Sequence, residues 1–189
     1  MRRLLLARHG QTAWNALGKL QGHTDIELDD TGRAQARALG GAIAHAGIAR
    51  VWSSDLARSR QTAEIVAAEL GLPAPEVDPD LRERRFGIFE GLTREQCAAH
   101  HPEAWRAWLA QTSHPPGGEP REEAVARMHR ALGRILSDDL ALVISHGGVM
   151  RLWLMDVLGA PVPLVGNAAT YLVEHDGTAV RARLHDLER

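Results

Sequence analysis

Apolar residues fall along the chain in two kinds of run. Residues 3–8 (RLLLAR), 48–54 (IARVWSS) and 139–145 (DLALVIS) are short and largely lack polar alternation. They predict inner strands covered on both faces. Elsewhere apolar positions recur at spacings of three and four, as in Ala34, Ala38, Leu39, Ala42 and Ile43, and predict helices. The first of these helices is expected to start at an N-cap on Thr31 and to end near Gly47. Others are expected at 56–70, stopped by Gly71-Leu72-Pro73, at 122–137 and at 149–158. Thr93 with Gln96 reads as a capping box for a short helix, and residues 105–109 read as helical. A short extended piece near Val77 precedes irregular loops at 81–91 and 113–120. Strands at 170–174 and 180–184 flank Asp176-Gly177, a hairpin signal.

Strands alternating with helices predict an α/β fold, a three-layer αβα sandwich with a mostly parallel central sheet. With 189 residues, 44% hydrophobic, one domain over 1–189 is expected, with 92–120 as a covering segment. A net charge of -2 gives no reason to expect nucleic acid or a membrane as partner. Nearly all the cations are arginine, Lys19 being the one lysine, and the arginine fork suits phosphate and carboxylate. Cys97 is the single cysteine, so no internal disulfide can form. No apolar run approaches the ~20 residues of a membrane span. The run 4–7 is too short for a signal-peptide core, and a cytoplasmic protein is expected.

Two of the inner strands end alike, in Arg8-His9-Gly10 and in Ser145-His146-Gly147, and a third ends at Ser53-Ser54-Asp55 with Arg58 close behind. Ligands of such sheets bind beyond the carboxyl ends of the strands, so these groups are expected at one rim. Arg8 and Arg58 could then offer forked hydrogen bonds to a tetrahedral dianion, with Asn15 as an uncharged donor and a helix N-terminus after His146. That combination suits phosphate. The chain lacks HExxH, a phosphate-loop lysine motif and GxGxxG, so no metal and no cofactor are expected. Phosphoryl transfer on such a site needs a nucleophile and a proton donor. His9 can be the nucleophile if one ring nitrogen is unprotonated, a state that neighbouring arginines favour. Glu83, in the loop after the extended piece, is the candidate acid, because a dianion beside it favours the protonated form.

The segments RHGQT at 8–12 with Asn15, SSDLARSRQTA at 53–63 and SHGG at 145–148 resemble the histidine phosphatase superfamily, the phosphoglycerate-mutase-like proteins. Gln21-Gly22, Leu81, Glu83, Phe86-Gly87 and Glu90-Gly91 are similar to the family in the same order, and Pro116-Gly117-Gly118-Glu119 resembles its small phosphatases. The resemblance implies a phosphoglycerate-mutase-like fold with His9 phosphorylated. It implies Arg8, Arg58 and His146 around the phosphoryl group, Asn15 and Gly147 as phosphate contacts, Gln21 and Gly22 at the pocket wall, and Glu83 as acid and base. Glu27, Asp29 and Phe89 depart from the family's commonest residues.

Three functions compete: a phosphatase acting on a small phosphorylated substrate, a phosphoglycerate mutase, and a non-catalytic phosphate-binding domain. The last has no need of His9 or Glu83. The short stretch between Glu83 and His146 resembles the phosphatase branch, where mutases carry a longer, more basic insertion. A monomer or homodimer is expected. The remaining eight histidines read as surface or core residues, Arg84 and Arg85 as solvated or structural, Trp105 and Trp108 as packing under a cover, and Cys97 as a small core residue. Glu119 reads equally as a loop cap or a substrate contact.

Overall fold

The continuous apolar runs form the middle of one sheet. The computed structural model describes residues 1–136 and 139–185. Its strands are β1 (Arg2–Arg8), β2 (Arg50–Ser53), β3 (Glu76–Val77), β4 (Ala141–Ser145), β5 (Thr170–His175) and β6 (Val180–Leu184). They lie in the order β3-β2-β4-β1-β5-β6. The first four are mutually parallel and the terminal hairpin β5–β6 is antiparallel, so the sheet is mostly parallel. Among the described residues the helices are α1 (Ala13–Ala16), α2 (Asp30–Ala42), α3 (Ala57–Glu69), α4 (Arg94–His100), α5 (Pro102–Leu109), α6 (Arg121–Ile135) and α7 (Gly147–Leu158).

Alternation along β1 divides the core into two layers. Leu4 and Leu6 pack with Met128, Leu132 and Trp153 of α6 and α7, whereas Leu5 and Ala7 pack with Leu39, Ala63 and Val66 of α2 and α3. The two leucines of the first layer are fully buried, and Leu5 is 1% exposed. Each contributes roughly 1.5–3 kcal/mol of transfer free energy. This arrangement is the expected αβα sandwich.

Several boundaries differ from the expectations. The cap of α2 is Asp29, whose side chain accepts from the Gly32 amide at 2.7 Å; Thr31 lies inside the first turn. The reason is a close backbone approach. A Cβ on Gly32 would stand 2.1 Å from the Gln11 carbonyl oxygen, so the helix starts where it can abut the loop after β1. It ends at Ala42 rather than near Gly47. Helix α6 starts at Arg121 and ends at Ile135; residue 137, its expected end, lies outside the described residues. The loop expected at 81–91 contains a short 3-10 turn, Gly87–Phe89.

Helices α4 and α5 form the cover. Phe86, Phe89, Cys97 and Trp105 make a small separate core, with Phe89 and Trp105 edge to face at 5.4 Å. Phe89 and Cys97 therefore serve packing, and Trp105 anchors the cover on the loop that carries Glu83.

Candidate active site

Parallel pairing of β1 with β4 sets Arg8 opposite Ser145, so the next residues, His9 and His146, emerge at one level of the rim. Their ring centroids are 5.1 Å apart. The strand β2 pairs on the other side of β4, and α3 follows it with Arg58 in its first turn. Three strand ends thus supply four charged or titratable groups to one place.

His9 is buried, and its Nδ1 lies 2.6 Å from the Gly10 carbonyl oxygen. A carbonyl can only accept, so Nδ1 carries the proton and Nε2 keeps its lone pair. Burial, followed by the charges of Arg58 and Arg8, holds the imidazole well below the ordinary histidine range, outweighing the Gly10 bond. His146 is fully buried and neutral for the same leading reasons, burial and then Arg58. Its Nε2 lies 2.7 Å from Ser54 Oγ, whereas its buried Nδ1 has no hydrogen-bond partner.

Arg58 has no exposed surface. Its Nη1 donates to the Thr24 carbonyl at 3.0 Å and its Nη2 to the Gly22 carbonyl at 2.8 Å, leaving Nε buried without a partner. Burial pulls its pKa down to about 10, so it remains a cation at neutral pH. Arg8 donates from Nη1 to the Val165 carbonyl at 2.7 Å, and its Nε is likewise unpartnered. One buried and one part-buried guanidinium group, hydrogen-bonded only to carbonyls and with Glu83 as the first carboxylate acting on each, keep N–H groups free for an anion.

Asn15 closes a capping box with Thr12: its Oδ1 accepts from the Thr12 amide, and Asn167 Nδ2 donates to the same oxygen at 3.3 Å. The Nδ2 of Asn15 is thereby left for the cavity. Gln21, whose Oε1 is buried without a partner, and Gly22 form the wall. Gly22 has φ +56, and a Cβ there would stand 2.1 Å from Glu90 Oε1, so no larger residue fits.

Glu83 sits across the cavity. Its Oε1 accepts from the amides of Arg84 and Val149, both at 2.7 Å, and its Oε2 from the Gly148 amide at 2.8 Å. The carboxyl is thus seated on the N-terminus of α7, with Oε1 doubly engaged and one lone pair of Oε2 open. Arg8, His9, Asn15, Gln21, Gly22, Arg58, Glu83 and Gly147 all line one cavity of about 270 Å³. His146 adjoins it against the His9 ring. Every site residue expected from the sequence is therefore in one cluster.

Other side chains take part that the sequence reading did not single out. Ser54 meets His146, as above. Arg127 of α6 donates to the carbonyls of Asp80, Arg82 and Glu83 and forks onto Glu119 with Nε at 2.7 Å and Nη2 at 2.9 Å. Glu119 consequently holds the loop, and Arg84 takes the structural one of its two expected roles: it is buried and donates to the Glu119 carbonyl at 2.8 Å. A signal for Arg127 was available: it falls between Ala124 and Ala131 on the apolar stripe of its helix. His23, one of the histidines expected to be surface or core residues, lies 2.8 Å from the Glu83 carbonyl.

The family model for the histidine phosphatase superfamily (branch 1) matches residues 4–186. The chain belongs to that superfamily. Phosphoglycerate mutase-like protein 4 of Arabidopsis thaliana is 39% identical over 155 residues, which are 78% of this chain and 67% of the relative. The metal-independent phosphoserine phosphatase of the same plant is 34% identical over 155 residues, 78% of this chain and 65% of its own. Among solved structures, a mycobacterial glucosyl-3-phosphoglycerate phosphatase complexed with VO3 superposes with a TM-score of 0.85 at 31% identity, covering 98% of each chain. A Bacillus stearothermophilus protein, YhfR, gives 0.87 at 27% identity over 97% of this chain and 96% of its own. The superfamily member therefore has phosphoryl-handling enzymes, phosphatases and mutase-like proteins alike, as its relatives.

Proposed function

We propose that the chain is a metal-independent phosphatase of small phosphomonoesters that works through a phosphohistidine on His9. The observation that carries this reading is the bond between His9 Nδ1 and the Gly10 carbonyl, which aims an unprotonated Nε2 at a cavity lined by Arg8 and Arg58. Nε2 attacks phosphorus as the bond to the alcohol oxygen breaks, and the leaving oxygen takes a proton from Glu83. Water then attacks the phosphoramidate, giving its proton to Glu83, and the broken P–N bond returns its electron pair to Nε2. The guanidinium groups, with the Asn15 amide, neutralise the equatorial oxygens, the task that a metal performs elsewhere. Oε2 of Glu83 is the oxygen with room for the travelling proton.

The test uses p-nitrophenyl phosphate and ³²P-labelled phosphomonoesters in the presence of chelator. Wild type should acquire acid-labile, base-stable label and release inorganic phosphate, and His9→Ala should do neither. Chelator-sensitive turnover, or label on another residue, sinks the reading. With 3-phosphoglycerate and a trace of its 2,3-bisphosphate, release of inorganic phosphate is expected to exceed isomerisation; the reverse result makes the chain a mutase.

A further inference from the structure

Arg58 is gripped from outside the cavity, and the grip leads to a carboxylate that does not line it. The two carbonyls that hold the guanidinium, those of Gly22 and Thr24, belong to one short segment of the wall. The same segment holds the start of α3, where Arg58 lies, since Asp25 Oδ1 accepts from the Ala57 amide at 2.7 Å. What holds the segment is Glu90. Its Oε1 accepts from the His23 amide at 3.2 Å and from the Phe86 amide at 3.0 Å. Its Oε2 accepts from the Thr24 amide at 3.0 Å and from the Thr24 hydroxyl at 2.6 Å. Four donors therefore converge on one half-buried carboxylate, which is not among the residues lining the phosphoryl cavity.

The Gly22 carbonyl and the His23 amide are the two ends of one peptide unit. Arg58 donates to its oxygen while its N–H donates to Glu90, so a cation and an anion are joined head to tail through a single peptide dipole. Hydrogen bonds in such a chain polarise and strengthen one another. The arrangement also avoids a conflict. A carboxylate bound directly to the guanidinium would occupy the N–H groups that an anion needs. Set one peptide away, it fixes the guanidinium and leaves Nε without a protein partner. Burial, the leading influence on Arg58, disfavours its charge; Glu90 is among the carboxylates, after Glu83 and Asp25, that sustain it. Glu90 is ionised in turn. Burial pushes its pKa up, but the bonds from Thr24, His23 and Phe86 outweigh this and hold it below the ordinary carboxylate range.

We propose that Glu90 is a positioning residue for phosphoryl recognition: through the Gly22–His23 peptide it sets the orientation of Arg58 toward the anion, without touching the anion itself. This inference rests on the phosphatase reading for its turnover consequences, but not for its binding ones.

The sign of the effect separates positioning from plain charge. Glu90→Gln removes a negative charge behind the guanidinium, which by Coulomb attraction alone tightens an anion. An Arg58 that has lost its orientation binds the anion more weakly. Calorimetry with inorganic phosphate should show about tenfold weaker binding in Glu90→Gln, the size of one charge-assisted hydrogen bond. The kcat/KM for p-nitrophenyl phosphate should fall alongside. Both losses should vanish in an Arg58→Gln background, because the two residues act as one unit. The fold should survive the change, since the segment stays tied by main-chain bonds from Leu20 to the Leu92 carbonyl at 2.9 Å and from Gly91 to the Leu20 carbonyl at 2.8 Å. Nitrogen-15 NMR of the Arg58 Nε–H needs no second substitution; its resonance should shift and lose exchange protection in Glu90→Gln. Unchanged or tighter phosphate binding, an equal loss in the Arg58→Gln background, or an Arg58 resonance that Glu90→Gln leaves in place overturns the proposal. Glu90-dependent phosphate binding in a protein that never labels His9 keeps the positioning role and ends the phosphatase. Labelling of His9 with phosphate binding indifferent to Glu90 does the opposite.

Discussion

At the scale of single residues, the site is governed by which nitrogen carries a proton. A neutral His146 has one N–H. If it is at Nε2, it donates to Ser54 and presents a lone pair to any phosphoryl oxygen at Nδ1; if it is at Nδ1, the Ser54 hydroxyl must donate to Nε2. The second arrangement is the one that helps an anion bind, and the 2.7 Å contact permits it. Ser54 is thus a positioning residue. Ser54→Ala should lower kcat/KM for a phosphomonoester by about tenfold, the worth of one buried hydrogen bond to a group that meets charge. Ser54→Thr, which keeps the hydroxyl, should restore most of it. Nitrogen-15 NMR of His146 should report protonated Nδ1 in wild type with vanadate bound, and a mixture of tautomers in Ser54→Ala; unchanged spectra would refute the role. His9 itself yields a second expectation. Because its protonation falls well below the ordinary histidine range, the single-turnover rate of His9 phosphorylation should stay level from pH 7 through the ordinary imidazole midpoint, about 6.5. A decline centred there would mean that His9 titrates like an exposed histidine.

Elements matter through the one that holds Glu83. That residue lies in a loop without regular hydrogen bonding of its own, and Arg127 supplies the missing donors from α6, more than forty positions away. Arg127 and Glu119 are nearly buried, with side chains 10% and 14% exposed. Arg127→Met should therefore cost about 3–5 kcal/mol in denaturant unfolding, by stranding the Glu119 carboxylate. It should also lower kcat more than it raises KM, since the proton donor is displaced and the phosphate grip is not. Adding Glu119→Gln should recover part of the stability without recovering kcat. Recovery of both would make Arg127 merely a partner of Glu119. The same element explains what could be read from sequence. Strand ends followed by glycine are local patterns, so Arg8, His9 and His146 were legible, and Arg58 was legible from its place just behind a third strand end, as were the sheet and the helices. The cap of α2 is not legible in the same way, because Thr31 and Asp29 are both good caps and the choice between them goes with the packing of Gln11 on Gly32. Arg127 and Ser54 act on partners that only the folded chain brings near. An arginine on an apolar stripe says that something polar is buried there, not what.

The molecule as a whole keeps two neutral imidazoles, His9 and His146, inside a cationic rim, and this fixes how its stability depends on pH. Both groups have folded-state values well below 6.5, with burial the leading cause. As pH falls below about 6.5 the unfolded chain takes up protons that the folded chain refuses, so unfolding gains and stability declines. Each imidazole contributes a slope of up to about 1.4 kcal/mol per pH unit, and the pair up to about 2.7. The half-buried His23, also lowered chiefly by burial, adds a smaller share. Carboxylates held low in the fold act in a different window. Asp55, lowered first by its hydrogen bond from Arg82, contributes stability that is present above the ordinary carboxylate range and is lost only as pH falls through its folded value. Between about pH 5.5 and 6.5 the decline therefore belongs to the histidines, and nearer pH 4.5 Glu90 and Glu119, also held low in the fold, join it. Urea unfolding followed across that interval should show it, and His9→Asn, which has nothing to protonate, should remove close to half of the slope. Inorganic phosphate should offset the loss by binding the folded form alone, by about 2.7 kcal/mol at a hundred times its dissociation constant. A stability profile that stays flat across that interval in wild type would mean that the imidazoles are solvated, and with that the account of a poised, unprotonated nucleophile would fail.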